Sequence, residues 1–442
     1  MKALPIQRAM KQLRGDGLRA RSLRGSSWTL IGFGMQQVLR LGSNLILTRL
    51  LFPEAFGHMS LAAVYMTGLE MFSDIGIRPS IIQSKRGDDE TFLNTAWTMQ
   101  IIRGFVLAII ACILAYPISI FYEAPVLFPL LCLVGLTSAI RGFQTTGYAT
   151  MNRKLQLGLL TNIELAARFL GIVTMVVWAL ISPTVWSLAA GGIVNAFMLV
   201  ALAHISINTH PHRLCWDREC VGELFGFGKW IFITSILTFI AQSGDRFLLP
   251  ALFEFKDLGF YSLAIGLVMI PVLIMKRLSS KVLFPAYAEL HNREDPDKLN
   301  AMITRFAKIS FPVYLFPITL LALGPWIISV MYDDRYQSAG TMTSILAVGG
   351  YFAILRASQA GILLAVGKSK LAMYIQLGKT VTYIVGGIVL AREYGLDGYC
   401  AGLAVSEAVS YCLQRLMVSK ALGKRGFGLT ESSWSSCSRR WY

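Results

Sequence analysis

Seven basic side chains, Arg40, Arg103, Arg141, Arg168, Arg246, Arg356 and Lys379, fall inside long apolar stretches of this 442-residue chain. Carboxylates at comparable depth are Glu70, Asp74, Glu164, Asp245 and Glu407. A guanidinium at the centre of a membrane helix costs about 2.5 to 3.5 kcal/mol on insertion scales, so each should face water, a carboxylate or an anionic ligand. Glu164 and Arg168 are four apart and can neutralise each other on one helix. Asp74 and Arg103 lie near span ends, where snorkelling lowers their cost. Arg40, Arg141, Arg246, Arg356 and Lys379 are more central and leave an interior that is cationic on balance, a field from which an anion gains. Asp245, Glu407, Glu70, Asp74, Glu164 and Arg168 are expected to be coupling or structural charges.

Polar residues around two of these arginines are periodic. Gly32, Gln36, Arg40 and Asn44 recur every four positions and form one stripe on an otherwise apolar helix. An offset of 202 carries Trp28 to Trp230, Gly42 to Gly244, Leu50 to Leu252, Gly57 to Gly259 and Ser60-Leu61-Ala62 to Ser262-Leu263-Ala264 without a gap. Thr234, Thr238, Gln242 and Arg246 occupy the stripe of the second copy. Gln36, Asn44 and Gln242 therefore join the arginines as candidate binding residues on the wall of a polar cavity. A stripe that glues helix to helix is the alternative reading.

The chain is 55% hydrophobic and only 15% charged, with mean hydropathy +0.56, which is too apolar for a soluble domain of this size. Apolar segments long enough to cross a bilayer number about twelve, near 26–48, 56–77, 96–116, 126–148, 157–181, 185–207, 228–252, 258–275, 309–331, 339–366, 371–391 and 398–418. The domains expected are a basic cytoplasmic segment 1–25, a six-helix bundle 26–207, a cytoplasmic linker 208–227, a second six-helix bundle 228–420 and a flexible tail 421–442. With the N-terminus inside, most of the 41 lysines and arginines fall on the cytoplasmic side, and only Arg49, Lys256, Arg335 and Arg392 fall outside. That asymmetry predicts both termini inside and explains the net charge of +16 by topology, without nucleic acid.

No P-loop, HExxH or nucleophile elbow is present, so the sequence predicts neither an enzyme nor an ATPase, and no cofactor. His210, His212, Cys215 and Cys220 hold zinc-type donors, but their cysteine spacing is longer than in zinc loops, and no metal is expected. Cys112, Cys132, Cys400 and Cys412 sit in apolar runs as packing residues. Pro271, Pro312, Pro317 and Pro325 interrupt the eighth and ninth spans and are candidate hinges. Residues 276–290 mix basic and apolar side chains and suit the membrane interface.

The run Asn44-Leu45-Ile46-Leu47-Thr48-Arg49-Leu50-Leu51-Phe52-Pro53-Glu54-Ala55-Phe56-Gly57, with Phe72-Ser73-Asp74-Ile75-Gly76-Ile77 and Ile81-Ile82-Gln83, resembles the start of bacterial polysaccharide-transport flippases. These are Wzx-type members of the multidrug, oligosaccharidyl-lipid and polysaccharide exporter superfamily. Phe121-Tyr122, Gly259-Phe260-Tyr261-Ser262-Leu263-Ala264 and Val282-Leu283-Phe284-Pro285-Ala286 extend the resemblance over roughly residues 20 to 420. It implies an all-α integral membrane fold of about twelve helices in two pseudo-symmetric six-helix bundles around a central cavity. It also implies cationic residues for the diphosphate and sugars of an undecaprenyl-linked oligosaccharide; no family motif fixes which, and by charge and depth Arg40 and Arg246 come first and Arg141, Arg356 and Lys379 next. The chain lacks the extra spans of some relatives that move peptidoglycan precursors.

The function expected is a flippase in the bacterial inner membrane that carries such a lipid outward by alternating access, for exopolysaccharide, capsule or O-antigen. Its partners would be the lipid-linked oligosaccharide, membrane lipids, and a glycan polymerase and glycosyltransferases. The alternatives are an ion-coupled drug or metabolite antiporter of the same architecture and a nontransporting scaffold for glycan synthesis.

Overall fold

A computed structural model describes residues 18–73, 77–84, 86–154, 156–207, 212–222, 239, 243–283, 287, 311–365 and 369–422. The described residues are almost wholly helical, as an apolar chain must be when lipid offers its backbone no hydrogen bonds. They form α1 (Leu18–Leu50), α2 (Pro53–Phe72), α3 (Ile77–Gln83), α4 (Glu90–Phe121), α5 (Leu127–Gly142), α6 (Gly147–Arg153), α7 (Leu157–Ile181), α8 (Val185–Ser206), α9 (Phe255–Leu278), α10 (Phe311–Met331), α11 (Ser338–Ala365) and α12 (Ser369–Leu422). Six helices are long and apolar enough to cross a membrane, or up to eight if each bent pair counts as one span. The chain is a multi-pass membrane protein; the expected count of about twelve is not reached among the described residues. The chain divides into two compact units, residues 1–259 and 260–442.

In the first unit α4 lies along α5, α7 along α8, and α1 against α7. The fourth expected span, 126–148, is not one straight helix: α5 stops at Gly142 and α6 leaves at 66°. The break is stabilised from α4, where the Gln100 amide donates to the carbonyls of Arg141 (3.3 Å), Gly142 (3.2 Å) and Gln144 (3.0 Å). One side chain thus reaches carbonyls on both sides of the break, of which that of Arg141 also accepts from the Gln144 N–H.

The first turn of α9 also belongs to the first unit, so the division falls within that helix and after the expected linker. A Cβ on Gly57 would stand 1.9 Å from the Phe255 carbonyl oxygen, and one on Gly259 would stand 2.1 Å from that of Pro53. Pro53 and Phe255, like Gly57 and Gly259, differ by the repeat offset of 202. Equivalent positions meet reciprocally, as they do across a two-fold contact. His58 stacks on Phe255 beside this crossing at 4.3 Å.

In the second unit α10 packs on α11 and α11 on α12. Residues 371–391 and 398–418 form the two limbs of α12, which turns at Gly395 with φ 60 and ψ −141, a conformation essentially reserved for glycine. A three-helix-segment ion cluster joins these elements. Glu407 accepts from Arg356 Nε at 3.1 Å on α11 and from Lys379 Nζ at 2.5 Å on the other limb of α12. These three side chains are only 13–15% exposed. Gln414 adds a hydrogen bond to the Arg356 carbonyl at 2.9 Å.

Three substitutions test this packing by stability in detergent. Gly57→Val must separate α2 from α9 and is expected to cost about 1 to 3 kcal/mol, seen as a lower thermal midpoint. Gly192→Ala, where a Cβ meets nothing within 4 Å, should leave the midpoint unchanged. Glu407→Gln removes the counter-ion of two buried cations and should cost about 3 to 5 kcal/mol by the same measurement.

Candidate anion-binding site

A cavity of about 370 Å³ opens in the first unit, lined from α2 by Thr67 and Glu70, from α3 by Arg78, from α4 by Gln100 and Arg103, and from α5 by Ser138 and Arg141. Among its described lining residues are three guanidinium groups and one carboxylate. The fold gives each arginine a different hold. Arg103 donates to Ser73 Oγ at 3.0 Å and to the Glu70 carbonyl at 2.7 Å, at the C-terminal end of α2. A cation is favoured there by the helix dipole as well as by the unpaired carbonyls. Arg141 meets Glu70 across a single 3.3 Å contact, and the two side chains are 45% and 37% exposed. Arg78 lies over the Tyr148 ring, 5.6 Å from its centroid.

A polar chain continues behind Arg78. The Tyr148 hydroxyl on α6 donates to Glu164 on α7, whose other oxygen accepts from Gln36 on α1 at 3.0 Å. Glu164 is thus held by α1 and α6, and Arg168, one turn away, is exposed and not within ion-pair distance of it. A Cβ on Gly32 would strike Thr161 of α7. The front of the Gly32, Gln36, Arg40, Asn44 stripe therefore faces α7 as a packing seam, which corrects the expectation that the whole stripe lines a cavity. Arg40 and Asn44 sit farther along α1 and are half-buried.

The other sequence candidates are dispersed. Arg356, Lys379 and Glu407 form the cluster of the second unit, with Lys276 of α9 in electrostatic reach of all three. Asp245 and Arg246 are half-buried on helical turns over residues 243–252. Gln242, Thr234, Thr238, Trp230 and Asp74 lie outside the described residues, as does His210. Among the described residues no three His, Cys, Asp or Glu side chains are grouped to hold a metal. His212 instead contacts Thr145 Oγ1 at 2.7 Å and stacks on Trp97.

Arg78, Gln100, Arg103 and Ser138 were not among the candidates. Arg103 was discounted as a snorkelling residue, yet it binds inward to the end of α2. The signal was present in Gln100 and Arg103 sharing a helix face, three positions apart.

Comparison with known proteins agrees with this architecture. The chain is 22% identical over 418 residues to the lipopolysaccharide biosynthesis protein WzxC of Escherichia coli (strain K12), covering 92% of this chain and 82% of WzxC. It is 21% identical over 421 residues to a putative O-antigen transporter of Shigella flexneri, covering 90% of this chain and 96% of that one. Its fold matches an inward-facing multidrug resistance MATE family transporter of the MOP superfamily with TM-score 0.69 at 14% identity, over 88% of this chain and 96% of that chain. The lipid II flippase MurJ, in an inward closed conformation, matches with TM-score 0.68 at 12% identity, over 90% and 89%. The family model described as polysaccharide biosynthesis protein matches residues 46–341, more than half of the chain, and the chain belongs to that family.

Proposed function

We propose that the protein is a flippase that moves an undecaprenyl-diphosphate-linked oligosaccharide from the cytoplasmic to the periplasmic leaflet of the bacterial inner membrane by alternating access. The glycan would be destined for exopolysaccharide, capsule or O-antigen. Both termini would be cytoplasmic, and polymerase and glycosyltransferases would act beside it. The observation that carries the reading is the excess of cations inside apolar helices of a chain in this family, with three guanidiniums and one carboxylate among the described residues lining the cavity of the first unit.

The chemistry follows from charge. A diphosphate is stripped of water as it enters an apolar bundle, and fixed guanidiniums replace that hydration with charge-assisted hydrogen bonds. Arg40, Arg246, Arg141, Arg356 and Lys379 are the proposed contacts, with Asn44 and Gln242 beside them; Gln36 is left out because Glu164 holds its amide. Arg356 and Lys379 already share Glu407 and contribute mainly field. A small-molecule antiporter has the same fold, but a cationic interior opposes the organic cations that such a carrier would take. Nothing is cleaved, so the work must come from the membrane potential, an ion gradient or cargo supply. Outward movement of one negative charge is favoured by about 2.3 kcal/mol per 100 mV.

Two measurements check this. In cells, Arg40→Ala and Arg246→Ala should abolish or sharply reduce surface glycan at normal protein abundance, whereas a scaffold would tolerate both. In proteoliposomes with an imposed potential and no pH gradient, inside-negative polarity should speed outward flipping; an unchanged rate would remove the potential as a driver.

A further inference from the structure

We propose that the α2–α5 cavity binds the phosphoryl headgroup of an anionic membrane lipid, and that Glu70 is the internal counter-ion which the headgroup displaces from Arg141. The site deepens the flippase reading and rests on it only for the claim that the lipid is the cargo.

Four observations converge. The volume of about 370 Å³ is within the range of small-ligand pockets and exceeds what an ion pair needs. Its described lining brings the guanidiniums of Arg78, Arg103 and Arg141 to one space, a field that attracts an entering phosphate. Ser138 lines the cavity and is 4% exposed, and its Oγ has no hydrogen-bond partner among the described residues, which leaves a buried hydroxyl to be satisfied. The arginines are also unequally committed. Arg103 is fixed by two hydrogen bonds to the end of α2. Arg78 stacks on Tyr148 and makes no hydrogen bond with the described residues. Arg141 has one long contact to a half-exposed carboxylate. Such an exposed pair contributes at most about 1 kcal/mol, whereas a guanidinium can grip a phosphate by two parallel hydrogen bonds. Arg103 is thus a fixed wall, and Arg141 is the movable grip.

This assignment reverses the sign expected of a purely structural salt bridge. Removing Glu70 frees Arg141 and lowers the repulsion of the ligand, so binding should tighten. If the pair served packing alone, Glu70→Gln would weaken the fold and leave binding unchanged or poorer.

The test uses the full chain in detergent micelles or nanodiscs. Binding is measured for a short-chain polyprenyl diphosphate, phosphatidylglycerol and inorganic pyrophosphate. For the lipid that binds, Glu70→Gln should tighten affinity by about two- to fivefold, the equivalent of a pair contributing up to about 1 kcal/mol. Arg141→Gln should weaken it by about tenfold or more, with Arg141→Lys recovering part of the loss. Ser138→Ala should weaken it several-fold with an unchanged thermal midpoint, which keeps the test decisive if an arginine variant folds poorly. Preference for the polyprenyl diphosphate assigns the site to cargo; equal or greater affinity for phosphatidylglycerol assigns it to a resident phospholipid. Pyrophosphate binding with the same mutational pattern and no gain from a lipid tail would overturn the lipid assignment. Binding indifferent to Glu70, Ser138 and Arg141 overturns the site, even if the wild-type protein flips its lipid. Failure to flip, with this binding pattern intact, overturns the flippase reading and leaves the site standing.

Discussion

A cation held among apolar helices must be compensated, and this constraint accounts for much of how the two units differ. In the second unit Arg356 and Lys379 converge on Glu407, and the cluster is nearly closed to solvent. The carboxylate ties α11 to both limbs of α12, so its electrostatic work is structural. In the first unit three arginines share a cavity with Glu70 as the one carboxylate among the described lining residues. The Arg141–Glu70 pair there is accessible, its side chains 45% and 37% exposed, in contrast to the closed cluster of the second unit.

Close helix packing is the second constraint, because lipid gives no hydrophobic drive for helices to associate. Gly171 and Gly191 let α7 and α8 approach until an added Cβ would lie 2.8 and 2.6 Å from the opposite carbonyl oxygen. Gly402 does the same for the two limbs of α12, where its Cβ would lie 2.7 Å from the Gly386 carbonyl oxygen. The reciprocal meeting of Gly57 and Gly259 adds a symmetry argument. The two segments that match at an offset of 202 each place a glycine where they touch, for one shared steric reason.

Most of the helical architecture was legible in the sequence, since the length and apolarity of a span are dictated by the bilayer alone. Where the reading differed, a polar side chain acted at a distance. The bend after Gly142 depends on Gln100, more than 40 positions away, whose amide supplies the missing hydrogen bonds. Periodicity revealed the Gly32 to Asn44 stripe but not the direction it faces, because a cavity wall and a packing seam have the same spacing. Glu164 decided that question by taking the Gln36 amide from across the bundle. Charge and depth singled out Arg141 and Glu70, while Arg78 and Arg103 were hidden because their roles come from tertiary partners: an aromatic ring and a helix terminus.

The flippase reading requires that interior positive charge recognise a negative lipid headgroup. Its most direct test is the flipping rate, in proteoliposomes holding the full chain, of two fluorescent polyprenyl-linked sugars that differ only in having a diphosphate or an uncharged ether linkage. The account predicts protein-dependent translocation of the diphosphate lipid and none above background for the neutral one. Equal rates for both would contradict it.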